Sequence, residues 1–137
     1  MAYWLFKSEP DVFGWNDLVA KGTSEWDGVR NYQARNFMRE MAVGDQGFFY
    51  HSRTGLEIVG IVTIAAPAHP DSTASDPKWV CVDVQADKAL PRPVTLQKIK
   101  SEPALADMVL VRNSRLSIQP VTPAEWAQIL KMGGLQS

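Results

Sequence analysis

The run from Leu56 to about Ala66 constrains this chain more than any other stretch, because Ile58, Val59, Ile61, Val62, Thr63 and Ile64 are β-branched almost without a break. Two heavy atoms on Cβ stiffen χ1, lower helix propensity and suit a pleated surface, so the segment reads as a strand that needs partners. Gly60 inside it marks a bulge or a point of close approach. Residues 2–7 carry large apolar side chains and read as a buried first strand, stopped at Lys7-Ser8-Glu9-Pro10 because proline removes a donor and biases Glu9 toward extended geometry. After the turn signal Gly44-Asp45-Gln46-Gly47 comes an aromatic strand, Phe48 to Ser52. Trp79 to Asp87 alternates, with Val80, Val82, Val84 and Ala86 on one face, and Arg115 to Val121 alternates as a last strand.

Between the strands lie short helical patterns. Phe13, Trp15, Leu18 and Val19 form one, closed by Gly22. Asn31 to Met41 forms another, with Ala34, Phe37, Met38 and Met41 on its apolar stripe. Thr95 starts a short one after Pro91 and Pro93, which are expected to break the preceding strand, and Thr122-Pro123 opens the last, running through Lys131. Residues 23–28 and 67–78 read as loops, and 101–113 follow no single pattern. Four or five largely antiparallel strands with short helices imply an α+β fold, a small closed or partly closed barrel with helical decoration.

At 137 residues and 45% hydrophobic, the chain fits one domain over residues 1–137 that buries a core without disulfides or metals. The single Cys81, mid-strand among valines, reads as a small buried hydrophobe, and two distant histidines make a zinc site unexpected. No run reaches the ~18 apolar residues of a membrane span, and no leader pattern is visible. The expectation is a cytoplasmic protein without membrane contact. A net charge of −1, from 14 basic and 15 acidic residues, gives no bulk field toward nucleic acid. Recognition of one nucleotide in a pocket stays compatible with it, since stacking and edge hydrogen bonds then carry the affinity.

Chemistry concentrates in Trp26-Asp27-Gly28-Val29-Arg30-Asn31-Tyr32-Gln33-Ala34-Arg35-Asn36. Trp26 and Tyr32 offer stacking surfaces, while Asn31, Gln33, Asn36, Arg30 and Arg35 offer donors and acceptors suited to flat heterocycles. Trp26 has two readings, a core tryptophan or a cleft wall, and Tyr32 either packs or binds. Lys7, Ser8 and Glu9 cap a strand end or face a ligand, and His51 and Ser52 are structural groups or ligand contacts. Residue types alone allow His51 to be paired with Ser52, Ser8 or Cys81 as base and nucleophile, yet no hydrolase elbow, phosphate loop or metal-protease motif is present.

The segments Tyr3-Trp4-Leu5-Phe6-Lys7-Ser8-Glu9-Pro10, Trp26 to Asn36, Phe49-Tyr50-His51-Ser52, Gly60-Ile61-Val62 and Ser114 to Val121 together resemble the EVE domain over practically the whole chain. The resemblance implies a PUA-like mixed, mostly antiparallel β-barrel of about five or six strands flanked by short helices, related to the YTH domains. It implies a noncatalytic reader, without cofactor or metal, of a modified base in DNA or RNA, with a flipped base in an aromatic-lined pocket. It carries over Lys7, Ser8, Glu9, Trp26, Val29, Arg30, Asn31, Tyr32, Arg35, His51, Ser52 and Arg115 as ligand-binding residues. On this view Trp26 is the stacking platform, Ser8 and Asn31 bond base edges, and Arg30, Arg35 or Lys7 neutralises a phosphate. An enzyme acting on a nucleotide in the same pocket and a peptide-binding domain are the alternatives.

Overall fold

The computed structural model describes residues 1–135. Six strands form one sheet: β1 (Tyr3–Ser8), β2 (Thr23–Glu25), β3 (Gln46–His51), β4 (Glu57–Pro70), β5 (Val80–Thr95) and β6 (Ile118–Val121), in the order β2-β5-β4-β3-β1-β6. All neighbours are antiparallel except β1 and β3. That parallel pair requires a crossover. The crossover carries the helices α1 (Pro10–Phe13), α2 (Trp15–Lys21) and α3 (Tyr32–Glu40), together with β2. The helices α4 (Leu96–Ser101), α5 (Val109–Arg112) and α6 (Pro123–Met132) follow β5, with a 3-10 turn at Pro103–Leu105.

The sheet is covered on both faces, which is why its inner strands read as continuous apolar runs. Trp4, Phe6, Phe49, Val62, Val82 and Val84 pack with Trp15, Leu18 and Met38 in one layer. Leu5, Phe48, Tyr50, Ile58 and Ile61 pack with Ile99, Leu105, Leu110, Trp126 and Ile129 in the other. Trp126 of α6 anchors the second layer by stacking on Phe48 at 4.0 Å and Tyr3 at 4.4 Å between centroids. Thr122 caps α6 as expected, accepting from the Glu125 N–H, while the Glu125 side chain accepts from the Thr122 N–H.

Four boundaries differ from the sequence expectation. Pro91 and Pro93 do not end β5, because Ile58 lies opposite Val94 and Gly60 opposite Ala89, so Leu90–Pro93 bulge out where no ladder donor is needed. β4 runs on to Pro70, so β4 and β5 form a long hairpin arm where residues 67–70 were expected to loop. Thr23–Glu25 is an edge strand and not loop, held by backbone pairing with Asp83–Gln85 that a polar tripeptide does not advertise. The final strand starts at Ile118 instead of Arg115. Among the described residues no helix is long and apolar enough to cross a membrane.

Gly60 is both things its sequence setting suggested. The β4 register shifts there, and a Cβ at Gly60 would lie 2.5 Å from Cη2 of Trp15, whose ring is locked in the core. Gly60→Ala is therefore expected to lower stability by ~1–3 kcal/mol through overpacking, read as a lower denaturant midpoint at unchanged slope.

Candidate nucleic-acid interface

The outer strands β2 and β6 are not paired with each other, and a cavity of about 620 Å³ lies between the chain that follows β2 and the chain beside β6. That volume falls in the range of small-ligand sites. One wall is Lys21 and Ser24 to Arg30; the other is Lys7, Ser8, Glu9, Val12, Phe13 and Ser117. The first wall hangs on β5 because the Trp26 N–H donates to the Val82 carbonyl at 2.8 Å. Beyond it the chain turns at Gly28, whose φ of +79° favours glycine.

Asp71, at the tip of the hairpin arm, fixes this turn. Its buried carboxylate accepts from the Gly28 N–H at 2.8 Å, the Arg30 guanidinium at 3.1 Å, the Thr73 N–H at 2.8 Å and the Thr73 hydroxyl at 2.6 Å. Burial alone would push the carboxyl up, but these bonds outweigh it and hold the pKa down to about 2.

Six of the twelve expected site residues meet at this cavity: Lys7, Ser8, Glu9, Trp26, Val29 and Arg30. Trp26 is not an exposed stacking platform. It is 8% exposed and meets Phe6, Phe13 and Phe49 edge-on at 5.2, 6.3 and 5.5 Å, so it is core tryptophan and cavity floor at once. The Ser8 hydroxyl donates to the Phe13 carbonyl, and Glu9 pairs with Arg53 at 3.3 Å. Lys7 donates to the Ser114 carbonyl at 2.6 Å, and burial lowers its pKa. Ser52 and Arg115, with Lys7 and Glu9 again, line a neighbouring cavity of about 490 Å³ that Leu110 and Tyr50 also border.

Four expected residues line neither cavity. Asn31 caps α3, its side-chain oxygen accepting from the Ala34 N–H at 2.9 Å, so the side chain is oriented by the helix start. His51 Nε2 accepts from the Trp15 N–H at 3.1 Å; burial, partly offset by Glu57, lowers its pKa and keeps it neutral. It holds the start of α2, the structural one of the two readings its sequence position allowed. Tyr32 and Arg35 lie outside, in a surface group the sequence did not reveal. The Tyr32 ring, 55% exposed, sits 5.1 Å from Trp79, with Arg35 over Tyr32 at 4.9 Å, Arg30 over Trp79 at 5.7 Å and Lys78 within 5.6 Å of both rings. Trp79 and Lys78 were passed over because only the hairpin arm brings them to α3. Lys21, Ser24, Glu25 and Ser117 were also missed, although Ser24 and Glu25 directly precede Trp26.

The EVE domain model matches residues 2–132. The chain belongs to the EVE domain family. A crystal structure of an Agrobacterium tumefaciens protein is 54% identical with a TM-score of 0.97, covering 98% of this chain and 94% of that one. Thymocyte nuclear protein 1 of Danio rerio is 40% identical over 94% of this chain and 71% of its own length. The human THYN1 protein, solved in complex with 5-methylcytosine-containing DNA, is 36% identical with a TM-score of 0.90 and full coverage of both chains. The mixed six-stranded sheet with short flanking helices is the PUA-like EVE fold.

The Asp71 carboxylate is depressed in the folded state, so its contribution of ~2 kcal/mol is fully present above about pH 4 and lost as pH falls toward about 2. Asp71→Asn is expected to lower stability at neutral pH by about that amount and to flatten the acid limb, measured as denaturant midpoints from about pH 2 to 6.

Proposed function

We propose that this chain is a noncatalytic reader of a modified base in nucleic acid, with the cavity over Trp26 holding a single flipped base. The observation that carries this reading is the human relative's complex with 5-methylcytosine DNA, joined to a nucleotide-sized cavity over Trp26 in this chain. Extruding a base costs a few kcal/mol, and enclosure against apolar walls offsets it. Val29, Phe13 and the Trp26 floor supply those walls and a surface for a methyl group. Asp27, Ser8, Ser24 and Ser117 offer acceptors and hydroxyls for a base edge; a carboxylate suits the exocyclic amine of cytosine.

The strand on either side of the base needs a grip that a net charge of −1 does not supply in bulk. Lys7, Lys21 and Arg30 on the cavity wall, beside Glu9, Glu25 and Asp27, and Arg35 and Lys78 around Tyr32 and Trp79 supply cations and aromatic surface at one side of it. Phosphates bind the cations and an unstacked neighbour base lies on Tyr32. Within this reading His51 is no general base, since its free nitrogen is spent on Trp15.

Fluorescence anisotropy with duplexes carrying one 5-methylcytosine or an unmodified cytosine tests the proposal. Tighter binding of the methylated duplex is expected. Lys21→Ala should weaken it about fivefold and reduce the salt slope by about one. Tyr32→Ala, on an exposed ring, should weaken it about tenfold without loss of fold. Equal affinity for both duplexes, together with indifference to both substitutions, would overturn the reading.

A further inference from the structure

Beside the cavity wall at Glu25, three adjacent strands bring four ligand-type side chains onto one patch. Cys81 and Asp83 lie two residues apart on β5 and so share a face; His69 of β4 is the register partner of Cys81, and Glu25 of β2 is the register partner of Asp83. One donor atom from each lies within 4.8 Å of the others. We propose that Glu25, His69, Cys81 and Asp83 form a binding site for a zinc-class divalent cation.

The distances are near those a tetrahedral site needs. The Cys81 sulfur is 3.8 Å from His69 Nε2, and sulfur and nitrogen on a common tetrahedral zinc ion are about 3.6 Å apart. Nε2 lies 2.7 Å from Asp83 Oδ1, so these two need only open by about half an ångström to admit the ion between them. His69 Nδ1–H donates to the Pro70 carbonyl at 3.2 Å. That bond fixes the ring so that Nε2 faces the cluster, the arrangement that metal-bound histidines use. Glu25 is oriented likewise by the Ser72 hydroxyl at 2.6 Å.

An Asp83–His69 pair alone accounts for one contact of the four. It leaves unexplained why a thiol, in a chain with one cysteine, and a second carboxylate converge on the same imidazole. Two carboxylates, an imidazole nitrogen and a sulfur match the mixed ligand preference of zinc. On binding, the thiol proton and the Nε2 proton leave to solvent, and the ion pins β2 to the hairpin arm behind the cavity wall. Sequence reading set this aside because the histidines are far apart and the cysteine is alone; the hairpin joins His69 to Cys81.

The proposal is independent of base reading and is tested without nucleic acid. The full chain, stripped with a chelator, is titrated with Co²⁺ and then Zn²⁺. One equivalent of Co²⁺ should produce a thiolate-to-metal charge-transfer band and tetrahedral d–d bands, both removed by Zn²⁺, and Zn²⁺ should raise the melting temperature. Cys81→Ala should abolish the charge-transfer band, and Asp83→Asn should weaken Co²⁺ binding at least about tenfold. If Cys81→Ala does not fold, His69→Gln decides, since its ring is partly exposed and outside the core. Absence of the thiolate band in the folded wild-type chain, or its persistence in Cys81→Ala or His69→Gln, would overturn the site.

Discussion

The buried carboxylate of Asp71 is the contact on which the candidate site depends. Residues 26–30 have no secondary structure of their own, so their backbone donors must be satisfied from elsewhere. The Trp26 N–H finds Val82 and the Gly28 N–H finds Asp71, both on the β4–β5 arm. An irregular segment thereby acquires the rigidity of a sheet. Charge is disposed of at the same point: Arg30 neutralises Asp71 while its guanidinium remains 39% exposed at the cavity edge. Removing the carboxylate would release the turn, the arginine and the arm together.

Trp26 shows why packing and recognition are not separable here. Three phenylalanines hold its ring edge-on, and each such pair adds ~0.5–1.5 kcal/mol beyond area burial. A platform held this way does not swing out to meet a base. A ligand must reach it through the gap between β2 and β6, so selectivity rests on cavity shape more than on an open stacking face. Exposed aromatic surface lies instead at Tyr32, beside the half-buried Trp79, and both rings are flanked by cations.

Much of this was legible in the residues, and most of what was not depends on partners distant in the chain. Strands with apolar runs, the Thr122 cap and the close approach at Gly60 announce themselves locally, since side-chain period and cap chemistry act over a few residues. The polar strand Thr23–Glu25 and the bulged Leu90–Pro93 segment do not, because backbone pairing with a distant partner decides them. In the candidate site, Lys7-Ser8-Glu9 and Trp26 to Arg30 stand out in the sequence as composition anomalies, and the structure brings them to one cavity. Asn31 was misjudged for a local reason: an asparagine directly before a helical pattern is a cap before it is a ligand. His51 was misjudged for a distant one, its partner being the backbone of Trp15.

A chain of net charge −1 grips a polyanion only if its cations are kept from their own acids. This chain meets that condition in part, and by position. Glu9 is occupied by Arg53, and Asp71, buried, takes a single arginine while three backbone and hydroxyl donors share its remaining charge with it. Arg35 lies over the Tyr32 ring, which attracts a cation without neutralising it, while Lys78, over Tyr32 and Trp79, is shared with Asp76 at 3.6 Å. The cavity lining balances Lys7, Lys21 and Arg30 against Glu9, Glu25 and Asp27, so the attraction of any one cation is local and screened by salt beyond about 10 Å. Such a field is too short-ranged to hold nucleic acid at random, so on the proposed reading the fit of one base to the cavity is the term that separates a correct site from the rest.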